Sequence, residues 1–395
     1  MNSTEHYDFD TLVSRENTNS VKWDCIPAGD DSVKDKLLPL WIADMDFVCA
    51  APIVEAMRRR VDRRIFGYSI PYTDEYLEAV TGWFRRRAGW DIDRESVVVA
   101  PGIVPALGIL LRSLTNEGDG IIIQTPVYYP FGQKIANNGR RVVTSSLINS
   151  DGFYAMDFDD LEEKAKDPKS TMMILCNPHN PVGRVWTPEE LSAVAEICLK
   201  HDVLLVSDDI HCDLVRETSR YTPVGTLNDD ERIITCTAAS KTFNLAGLQT
   251  SNIIMKDKRQ RELWRREAQD RCGLYGCNPM GIVATQAAYS EGGPWLDQVN
   301  AYISANLEFV GEFVAEHLPK ARYWFPEGTY FAWLDLREYG HTAEQLEELM
   351  IYRAHVALDE GYIFGEEGQG FERINVACPR SILRDCLERM ERALS

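Results

Sequence analysis

Short apolar runs that end in turn residues alternate along the chain with segments of helical periodicity. The runs are SVVVAPG at 96–102, GIIIQTP at 120–126, TMMILCNP at 171–178 and VLLVSDD at 203–209. Because each run has the length of a strand and leads into a helical pattern, the alternation predicts an α/β domain with a mostly parallel sheet flanked by helices. Functional side chains are then expected at the carboxyl ends of the strands.

The clearest helix signal is TPEELSAVAEICLKHD at 187–202. Thr187 is the predicted N-cap, Pro188 the first helical residue, and Glu190 completes a capping box. One buried stripe is predicted from the apolar spacing of Leu191, Val194, Ala195 and Cys198. Since this helix leads directly into the strand at 203–207, the segment predicts a right-handed crossover between parallel strands.

The pattern changes from about residue 286. A helical stretch near 295–318 is followed by YWFPEGTYFAWLDL as strand, TAEQLEELMIYRAH as helix, ERINVACP as strand and a last helix at 380–394. This order predicts a smaller α+β domain over 286–395, after a large domain over 46–285. Residues 1–45 have little periodicity and are predicted to form an arm that packs with the small domain.

Composition and charge restrict the possible partners. The chain has 395 residues, 42 Lys plus Arg against 61 Asp plus Glu, and a net charge of −19, which argues against a nucleic-acid partner. An apolar fraction of 45% supports a packed core, and no apolar run approaches the ~18 residues of a membrane span. The start MNSTEHYDFD lacks the features of a signal peptide, so we expect a cytoplasmic protein with no membrane contact.

The ten cysteines are scattered through apolar segments rather than spaced as a disulfide framework. This distribution is typical of a reduced, cytoplasmic chain. The closest spacing, Cys272 to Cys277, has no second cysteine or histidine pair at metal-ligand distance. We therefore expect core or loop thiols and no metal site.

Lys241 lies in SKTFNLAG, after the apolar run IITCT and a stretch of small residues. Desolvation beside apolar neighbours favours the neutral amine that a Schiff-base lysine needs. The alternative for this segment alone is a surface lysine whose stem packs along apolar groups.

Asp208 ends the run at 203–207, where a buried carboxylate needs a charged or donating partner. A protonated pyridine nitrogen is such a partner, and an acid at that nitrogen makes pyridoxal phosphate an electron sink. The alternatives are a helix or turn cap for Asp208 and a hydrogen-bonded structural role for His211.

Three further segments carry candidate chemistry. Gly102 in APGIVPAL lets the backbone approach a phosphate at a helix N-terminus, although any turn between a strand and a helix can carry glycine. NPHNPVG at 177–183 fixes a turn and places Asn180 where its amide can reach a phenolic oxygen. Arg373 in FERINVACPR suits bidentate capture of a carboxylate, with a surface salt bridge as its alternative.

Together these segments resemble the fold-type-I pyridoxal-phosphate enzymes, the aminotransferase superfamily. The segments PLWIADMDF, GYS, TPVYYPF, NPHNPVGRVW, SDDIHCDLV, SKTFNLAGLQ and EGTYFAWLD resemble the MalY/PatB branch of cystathionine β-lyases and C–S lyases more narrowly. Two positions depart from many aminotransferases but fit this branch: His211, where they carry tyrosine, and Gln249, where they carry arginine. The resemblance implies an aminotransferase-like fold, pyridoxal 5'-phosphate as cofactor and a homodimer.

The resemblance also assigns roles to residues. It implies that Lys241 is catalytic and holds the cofactor, with Asp208 at the pyridine nitrogen, Asn180 at the phenolic oxygen and Tyr128 stacked on the ring. The remaining implied cofactor contacts are Gly102, Ile103, Val104, Ser240, His211 and, from the second subunit, Tyr68. Arg373 would bind the substrate carboxylate, and Trp41 and Ala43 would line the substrate pocket.

The implied activity is elimination from cystathionine or another cysteine S-conjugate to a thiol, pyruvate and ammonia. Cystathionine, cystine, cysteine and bulkier conjugates stay open as substrates. An aminotransferase shares the early steps and is the first alternative activity. A regulatory protein that binds pyridoxal phosphate is the second, although such regulators bring a DNA-binding domain with basic surface.

Overall fold

The computed structural model describes residues 6–27, 30 and 32–395 of the chain. Its strands are β1 (Leu38–Pro39), β2 (Val97–Ala100), β3 (Gly120–Ile123), β4 (Arg141–Thr144), β5 (Ile148–Ser150), β6 (Phe153–Ala155), β7 (Ser170–Cys176), β8 (Leu204–Asp208), β9 (Ile233–Thr237), β10 (Ser251–Met255), β11 (Arg322–Tyr323), β12 (Phe331–Asp335), β13 (Val356–Ala357), β14 (Asp359–Glu360) and β15 (Phe371–Asn375).

The α-helices alternate with these strands in the first two thirds of the chain. They are α1 (Val21–Asp24), α2 (Ala51–Asp62), α3 (Asp74–Ala88), α4 (Ile103–Leu114), α5 (Pro130–Asn137), α6 (Phe158–Ala165), α7 (Pro188–Lys200), α8 (Val224–Leu227), α9 (Ala239–Thr242), α10 (Lys258–Arg265), α11 (Pro279–Glu291), α12 (Gly293–His317), α13 (Ala343–Leu349) and α14 (Arg380–Leu394).

Seven strands form the main sheet in the order β2-β10-β9-β8-β7-β3-β4. The pairs among β4, β3, β7, β8 and β9 are parallel, whereas β10 runs antiparallel to both β9 and β2. The predicted α/β class with a mostly parallel sheet is therefore confirmed. In the register of the central strands, Cys176 is opposite Asp208, and Asp208 is opposite Cys236, so these strands end at one level.

Helices cover both faces of the main sheet. Successive side chains of a strand point to opposite faces, so alternate residues of one strand pack against different helices. Met172 and Ile174 of β7 pack in one core with α4, and Met173 and Leu175 pack in another core with α7. Burial on both faces explains why the central strands are continuous apolar runs rather than alternating ones.

Helix α7 forms as its sequence predicts. Thr187 caps it with a capping box to Glu190, Pro188 is the first helical residue, and its buried residues are Leu191, Val194, Ala195 and Cys198. The helix therefore lies with one apolar stripe against the sheet and returns the chain to the start of β8.

The last third of the chain builds a second sheet of four antiparallel strands, β11-β12-β15-β14. The strand predicted over 323–336 is divided into β11 and β12 by a segment that contains Pro326 and Gly328. The helix predicted near 295–318 is α12, and the last predicted helix coincides with α14. The proposed limits of the arm and the two domains stay predictions.

Residues before α2 make long-range contacts with the end of the chain. Strand β1 pairs in parallel with β13, with Leu38 opposite Val356. A buried ion pair joins Lys22 Nζ to Asp46 Oδ2 at 2.6 Å, and Arg15 Nη1 lies 2.9 Å from Asp46 Oδ1. These contacts hold the segment between β1 and α2 against the rest of the molecule. Residues 1–5, 28, 29 and 31 of the predicted arm lie outside the described residues.

Three further findings concern the classes of site considered above. All ten cysteines are free, and seven of them are buried. Across residues 6–27, 30 and 32–395, no helix is long and apolar enough to cross a bilayer. The same ranges contain no group of three or more His, Cys, Asp or Glu side chains arranged to hold a metal ion.

Candidate active site

The amine of Lys241 lies close to the carboxyl ends of the central strands. Lys241 belongs to α9, which begins shortly after β9, and its Nζ donates a 2.7 Å hydrogen bond to the Ala43 carbonyl oxygen. Burial lowers the pKa of Lys241 to about 8; the Arg373 charge also lowers it, whereas Asp44 and Asp208 counteract the shift. The amine therefore reaches its neutral, nucleophilic form at a pH near 8.

Asp208 is the last residue of β8 and is 3% exposed. Its Oδ1 accepts one hydrogen bond, 3.2 Å from the Ile210 backbone N–H, which is the one donor to this carboxylate among the described residues. Burial raises the pKa of Asp208 to about 7, nearby Asp209 adds to the shift, and Lys241 opposes it. A buried carboxylate that accepts so few hydrogen bonds is suited to a cationic partner.

His211 follows Asp208 by three residues in the chain, and its side chain is buried. Its ring meets Tyr330 and Phe331 edge to face, each at 5.6 Å between ring centroids, and its Nδ1 has no hydrogen-bond partner among the described residues. Burial, with Lys241 and Arg373 adding to it, holds the pKa of His211 well below its usual value. The Tyr330 hydroxyl is likewise buried without a partner, so two polar groups at this site are free to meet a ligand.

Arg373 lies on β15, and its side chain donates to acceptors from three other segments. Its guanidinium donates to Asn180 Oδ1 at 2.8 Å and to the Trp41 carbonyl oxygen at 2.9 Å, and it forms an ion pair with Asp359. The guanidinium also stacks over Phe331 at 3.9 Å from the ring centroid. These contacts fix the planar group in one orientation, which is what bidentate carboxylate binding needs.

Asp359 was missed by the sequence analysis. It lies directly opposite Arg373 in the pairing of β14 with β15, and burial raises the pKa of its carboxyl while Arg373 opposes that shift. The pairing of a two-residue strand gives no periodic signal, so only the cross-strand register reveals this partner.

Asn180 and Tyr128 are brought together at the same edge of the sheet. The Tyr128 backbone N–H donates to the Asn180 carbonyl oxygen at 3.1 Å. Burial raises the pKa of Tyr128; nearby Tyr129 and Asp208 add to the shift, and Arg373 opposes it. The loops after β3 and β7 thus place an aromatic ring and an amide beside the two charged residues.

The N-terminus of α4 is open to an anion. Gly102 is its N-cap with φ 102° and ψ 158°, and no side chain caps the helix, which begins with Ile103 and Val104. A Cβ at Gly102 would approach only Pro105 Cδ, at 3.6 Å, so the φ value rather than crowding favours glycine here. Uncapped amides and the helix dipole make this turn an anion-binding position.

Residues 41–47 lie across the site and are fixed by two asparagines that sequence reasoning also missed. Asn375 Nδ2 donates to the carbonyl oxygens of Ile42 and Asp44 at 2.7 and 2.8 Å. Asn244 Nδ2 donates to Met45 O at 2.9 Å and Phe47 O at 3.2 Å. Asn244 lies in SKTFNLAG and Asn375 in FERINVACPR, the segments that also contain Lys241 and Arg373. Asparagine is common in turns and strand ends, so the sequence alone does not single out these two.

Two predicted residues stand apart from this network. Ser240 precedes Lys241 in α9 and is partly buried. Tyr68 lies between α2 and α3 and is fully exposed, near exposed Ile65, Phe66 and Ile70. Hydrogen bonds and charge interactions bring eight predicted residues together within one chain: Trp41, Ala43, Tyr128, Asn180, Asp208, His211, Lys241 and Arg373. Gly102, Ile103 and Val104 lie at the start of α4, as described above.

The chain matches the model of a known family. A family model described as aminotransferase class I and II matches residues 36–390. The chain belongs to this family.

Individual members of the family are similar over nearly the whole chain. Cystathionine β-lyase PatB of Bacillus subtilis is 42% identical over 98% of this chain and 100% of its own. The crystal structure of cystalysin from Treponema denticola, which contains pyridoxal 5'-phosphate, is 39% identical, with a TM-score of 0.95 and coverage of 99% of both chains. The pyridoxal-phosphate-bound C–S lyase from Staphylococcus hominis is 35% identical, with a TM-score of 0.91 and coverage of 99% and 98%.

Proposed function

We propose that this member of the aminotransferase family is a pyridoxal-phosphate-dependent C–S β-lyase. It would cleave L-cystathionine or a related cysteine S-conjugate to a thiol, pyruvate and ammonia. The observation that carries the cofactor assignment is the pairing of a lysine of lowered pKa with a weakly supported buried carboxylate, Lys241 and Asp208. The names of the similar proteins, cystathionine β-lyase and C–S lyase, support elimination as the reaction.

The residues present fit pyridoxal phosphate. The buried carboxylate of Asp208 accepts one hydrogen bond among the described residues, and the protonated ring nitrogen would give it a cationic partner. The uncapped N-terminus of α4 at Gly102 is suited to the phosphate, with the amides of Ile103 and Val104 as donors and Ser240 as a further contact. Tyr128 would stack on the ring, and His211 would contact the cofactor beside Asp208.

Substrate binding would use the fixed guanidinium of Arg373. Its acceptors in this structure are one carboxylate, one amide oxygen and the Trp41 carbonyl, so a substrate carboxylate would join an orientation that is already set. Ala43 and Trp41 would form the adjoining wall of the pocket. Asn180 would then divide its amide between Arg373 and the phenolic oxygen of the cofactor.

The proton transfers belong to Lys241 and Asp208. The neutral amine of Lys241 would remove the Cα proton, and the resulting ammonium group would donate a proton to the departing sulfur. The lowered pKa of Lys241 suits both steps near pH 8. Asp208 would keep the ring nitrogen protonated by its charge. Pyridoxal phosphate, when bound, supplies the electron sink for the pair of electrons left at Cα. Hydrolysis of the remaining three-carbon unit gives pyruvate and ammonia.

We also infer a homodimer in which Tyr68 reaches the phosphate of the partner's site. The support is the exposure of Tyr68 together with Ile65, Phe66 and Ile70, which are 61–72% exposed in the single chain. An exposed apolar group of this kind marks an interaction surface. We infer a cytoplasmic setting from the ten free thiols.

The deciding experiment measures pyruvate and free thiol from L-cystathionine with purified protein, pyridoxal phosphate and no added 2-oxo acid. Only elimination turns over repeatedly under these conditions. We expect sustained, equimolar release of both products. Turnover that begins only when a 2-oxo acid is supplied would assign the chain to transamination and would leave the cofactor site in place.

Replacing Lys241 by alanine tests the site itself. The Lys241→Ala variant is expected to lose the visible absorbance of covalently held cofactor and to lose at least about 10³-fold in kcat, because both the attachment point and the general base are removed. The matched control is Lys258→Ala, at the exposed start of α10. Full activity in Lys241→Ala would refute the assignment.

A further inference from the structure

Arg216 is a buried cation whose side chain meets no acceptor. The residue is 3% exposed, and Nε, Nη1 and Nη2 all lack a hydrogen-bond partner among the described residues. Its backbone is fixed, since its N–H donates to the Glu327 carbonyl oxygen at 2.9 Å. Burial lowers its pKa to about 10, so the guanidinium is still charged at neutral pH. An unpaired buried charge is costly, and a compensating group is expected.

The other buried lysine and arginine side chains show what compensation looks like in this protein. Lys22 pairs with Asp46, Arg184 with Glu190 and Glu327, and Arg373 with Asp359. Within the described ranges, Arg216 is the one buried Lys or Arg that no carboxylate of the chain neutralises. We therefore expect a group outside the described residues to supply its counter-charge.

Arg216 lines a surface cavity of about 800 Å³ that is separate from the site of Lys241. The walls are the end of α3, the segment 212–221 and one face of α12. Asn300 on α12 also lines the cavity. Its buried Oδ1 has no partner in the described part of the chain, whereas its Nδ2 donates to the Asp213 carbonyl oxygen at 2.8 Å. The wall of the cavity thus contains five unused donors on Arg216 and one unused acceptor on Asn300, all of them on buried atoms.

The carboxylates around the cavity are already engaged or turned to solvent. Asp213 accepts from Trp83 Nε1 at 3.0 Å and from Thr242 Oγ1 at 3.0 Å, and Asp297 lies 2.8 Å from Arg87 Nη2. Glu217 and Glu308 are exposed. A ligand can enter without displacing an existing ion pair.

We propose that this cavity binds a small oxyanion, with Arg216 as its anchor. The planar guanidinium matches the geometry of both a carboxylate and a phosphate, because each presents two oxygens to a pair of N–H donors. The free acceptor on Asn300 favours an oxyanion that also carries a hydroxyl or amino donor. The site adds a ligand to the molecule that takes no part in the proposed elimination.

The test titrates folded holoenzyme with inorganic phosphate or with L-malate at constant ionic strength, by calorimetry and by thermal unfolding. We expect the unfolding midpoint to rise by about 2–5 °C with the probe that fits, by mass action. A response to phosphate identifies a phosphate ligand, and a response to L-malate identifies a hydroxycarboxylate. Equal responses to sodium chloride would overturn the proposal, because they would reflect screening.

Three variants complete the test. Arg216→Met is expected to lose the shift and, in anion-free buffer, to melt no lower than the wild type, because it removes an unpaired buried charge. Arg216→Lys keeps the charge without the planar fork and is expected to weaken binding about tenfold. Exposed Arg392→Met is the control and is expected to respond as the wild type does. An unchanged response in both Arg216 variants, or no response in the wild type, would overturn the proposal.

Discussion

At the scale of single residues, the lowered pKa of Lys241 controls how the protein acquires its cofactor. Only the neutral amine attacks an aldehyde, so the rate of pyridoxal phosphate incorporation into apoprotein is expected to rise about tenfold from pH 6 to 7 and to level off above pH 8. Stopped-flow absorbance at each pH measures this rate.

The reference for that experiment is N-acetyl-lysine, an amine with the ordinary lysine pKa. Its reaction with pyridoxal phosphate is expected to keep rising through pH 9. If the protein followed the same profile as the free amine, the proposed effect of burial and of Arg373 on Lys241 would be wrong.

Arg373 is the second residue whose environment predicts a measurable effect. In Arg373→Lys the charge stays but the planar fork is lost, so KM for an L-amino acid substrate is expected to rise about tenfold or more. Steady-state kinetics measure the change. The matched control is Arg337→Lys, an exposed arginine on the same side of the second sheet that pairs with Asp335; a comparable rise there would show a general effect of the substitution.

The residue types of the site could be predicted from the sequence, but most of their partners could not. Lys241 and Asp208 follow apolar runs and Arg373 precedes one, and charge at such positions is conspicuous. Their partners are backbone carbonyls, of Ala43 for Lys241 and of Trp41 for Arg373. Every residue has a carbonyl, so no sequence signal distinguishes these two before the chain is folded.

At the scale of elements, β15 places two neighbouring charged residue types, Arg373 and Glu372, in different surroundings on its two faces. Arg373 points to the site, whereas the next residue toward the N-terminus, Glu372, is fully buried, with no hydrogen-bond partner for either carboxylate oxygen among the described residues. Burial raises the pKa of Glu372 well above 4.5, and Glu360, Asp359 and Glu347 add to the shift. The interior beside the second sheet therefore favours the neutral, protonated form of this carboxyl group.

This raised pKa makes stability depend on pH. Above 4.5 the unfolded chain releases the Glu372 proton while the folded chain retains it, so this residue's contribution falls as the pH rises from 4.5 toward the folded-state pKa. Glu372→Gln cannot ionise. Its free energy of unfolding is expected to exceed that of the wild type by at least about 1 kcal/mol at pH 8 and to equal it near pH 4.5. Urea unfolding at the two pH values measures the difference.

Exposed Glu348 on α13 provides the control, and Glu348→Gln is expected to show no such difference between the two pH values. Equal stabilities of Glu372→Gln and the wild type at pH 8 would mean that Glu372 ionises in the folded protein without cost.

Elements with local signals were predictable, and elements that depend on pairing were not. The capping box of α7 and the run of β8 define themselves within a few residues. Strands β13 and β14 have two residues each, and they exist because they pair with β1 and β15. Their existence is a property of tertiary structure, which propensity does not encode.

At the scale of the whole molecule, the proposed role of Tyr68 can be tested by mixing defective subunits. If Tyr68 acts in trans, a dimer of one Lys241→Ala chain and one Tyr68→Ala chain contains one fully intact site. Refolding the two variants together at equal concentration should give about a quarter of wild-type activity, because half of the dimers are hybrids. Activity assays on the mixed and separate samples measure the gain.

Unmixed Tyr68→Ala defines the baseline of that experiment. Activity in the refolded mixture at or below the mean of the two separate variants would place Tyr68 outside the partner's site. The sequence shows apolar residues around Tyr68, between α2 and α3, but it does not show whether they are buried. Only the folded chain shows that they are exposed.

The contact between Trp41 and Arg373 also has a consequence for biosynthesis. The two residues are 332 positions apart, so a ribosome that adds about 5–20 residues per second needs roughly 15–70 s between them. During that interval the segment around Trp41 has been synthesised, but Arg373 has not. The contact forms only near the end of translation, so a nascent chain cannot hold the Arg373 guanidinium in its final orientation before then.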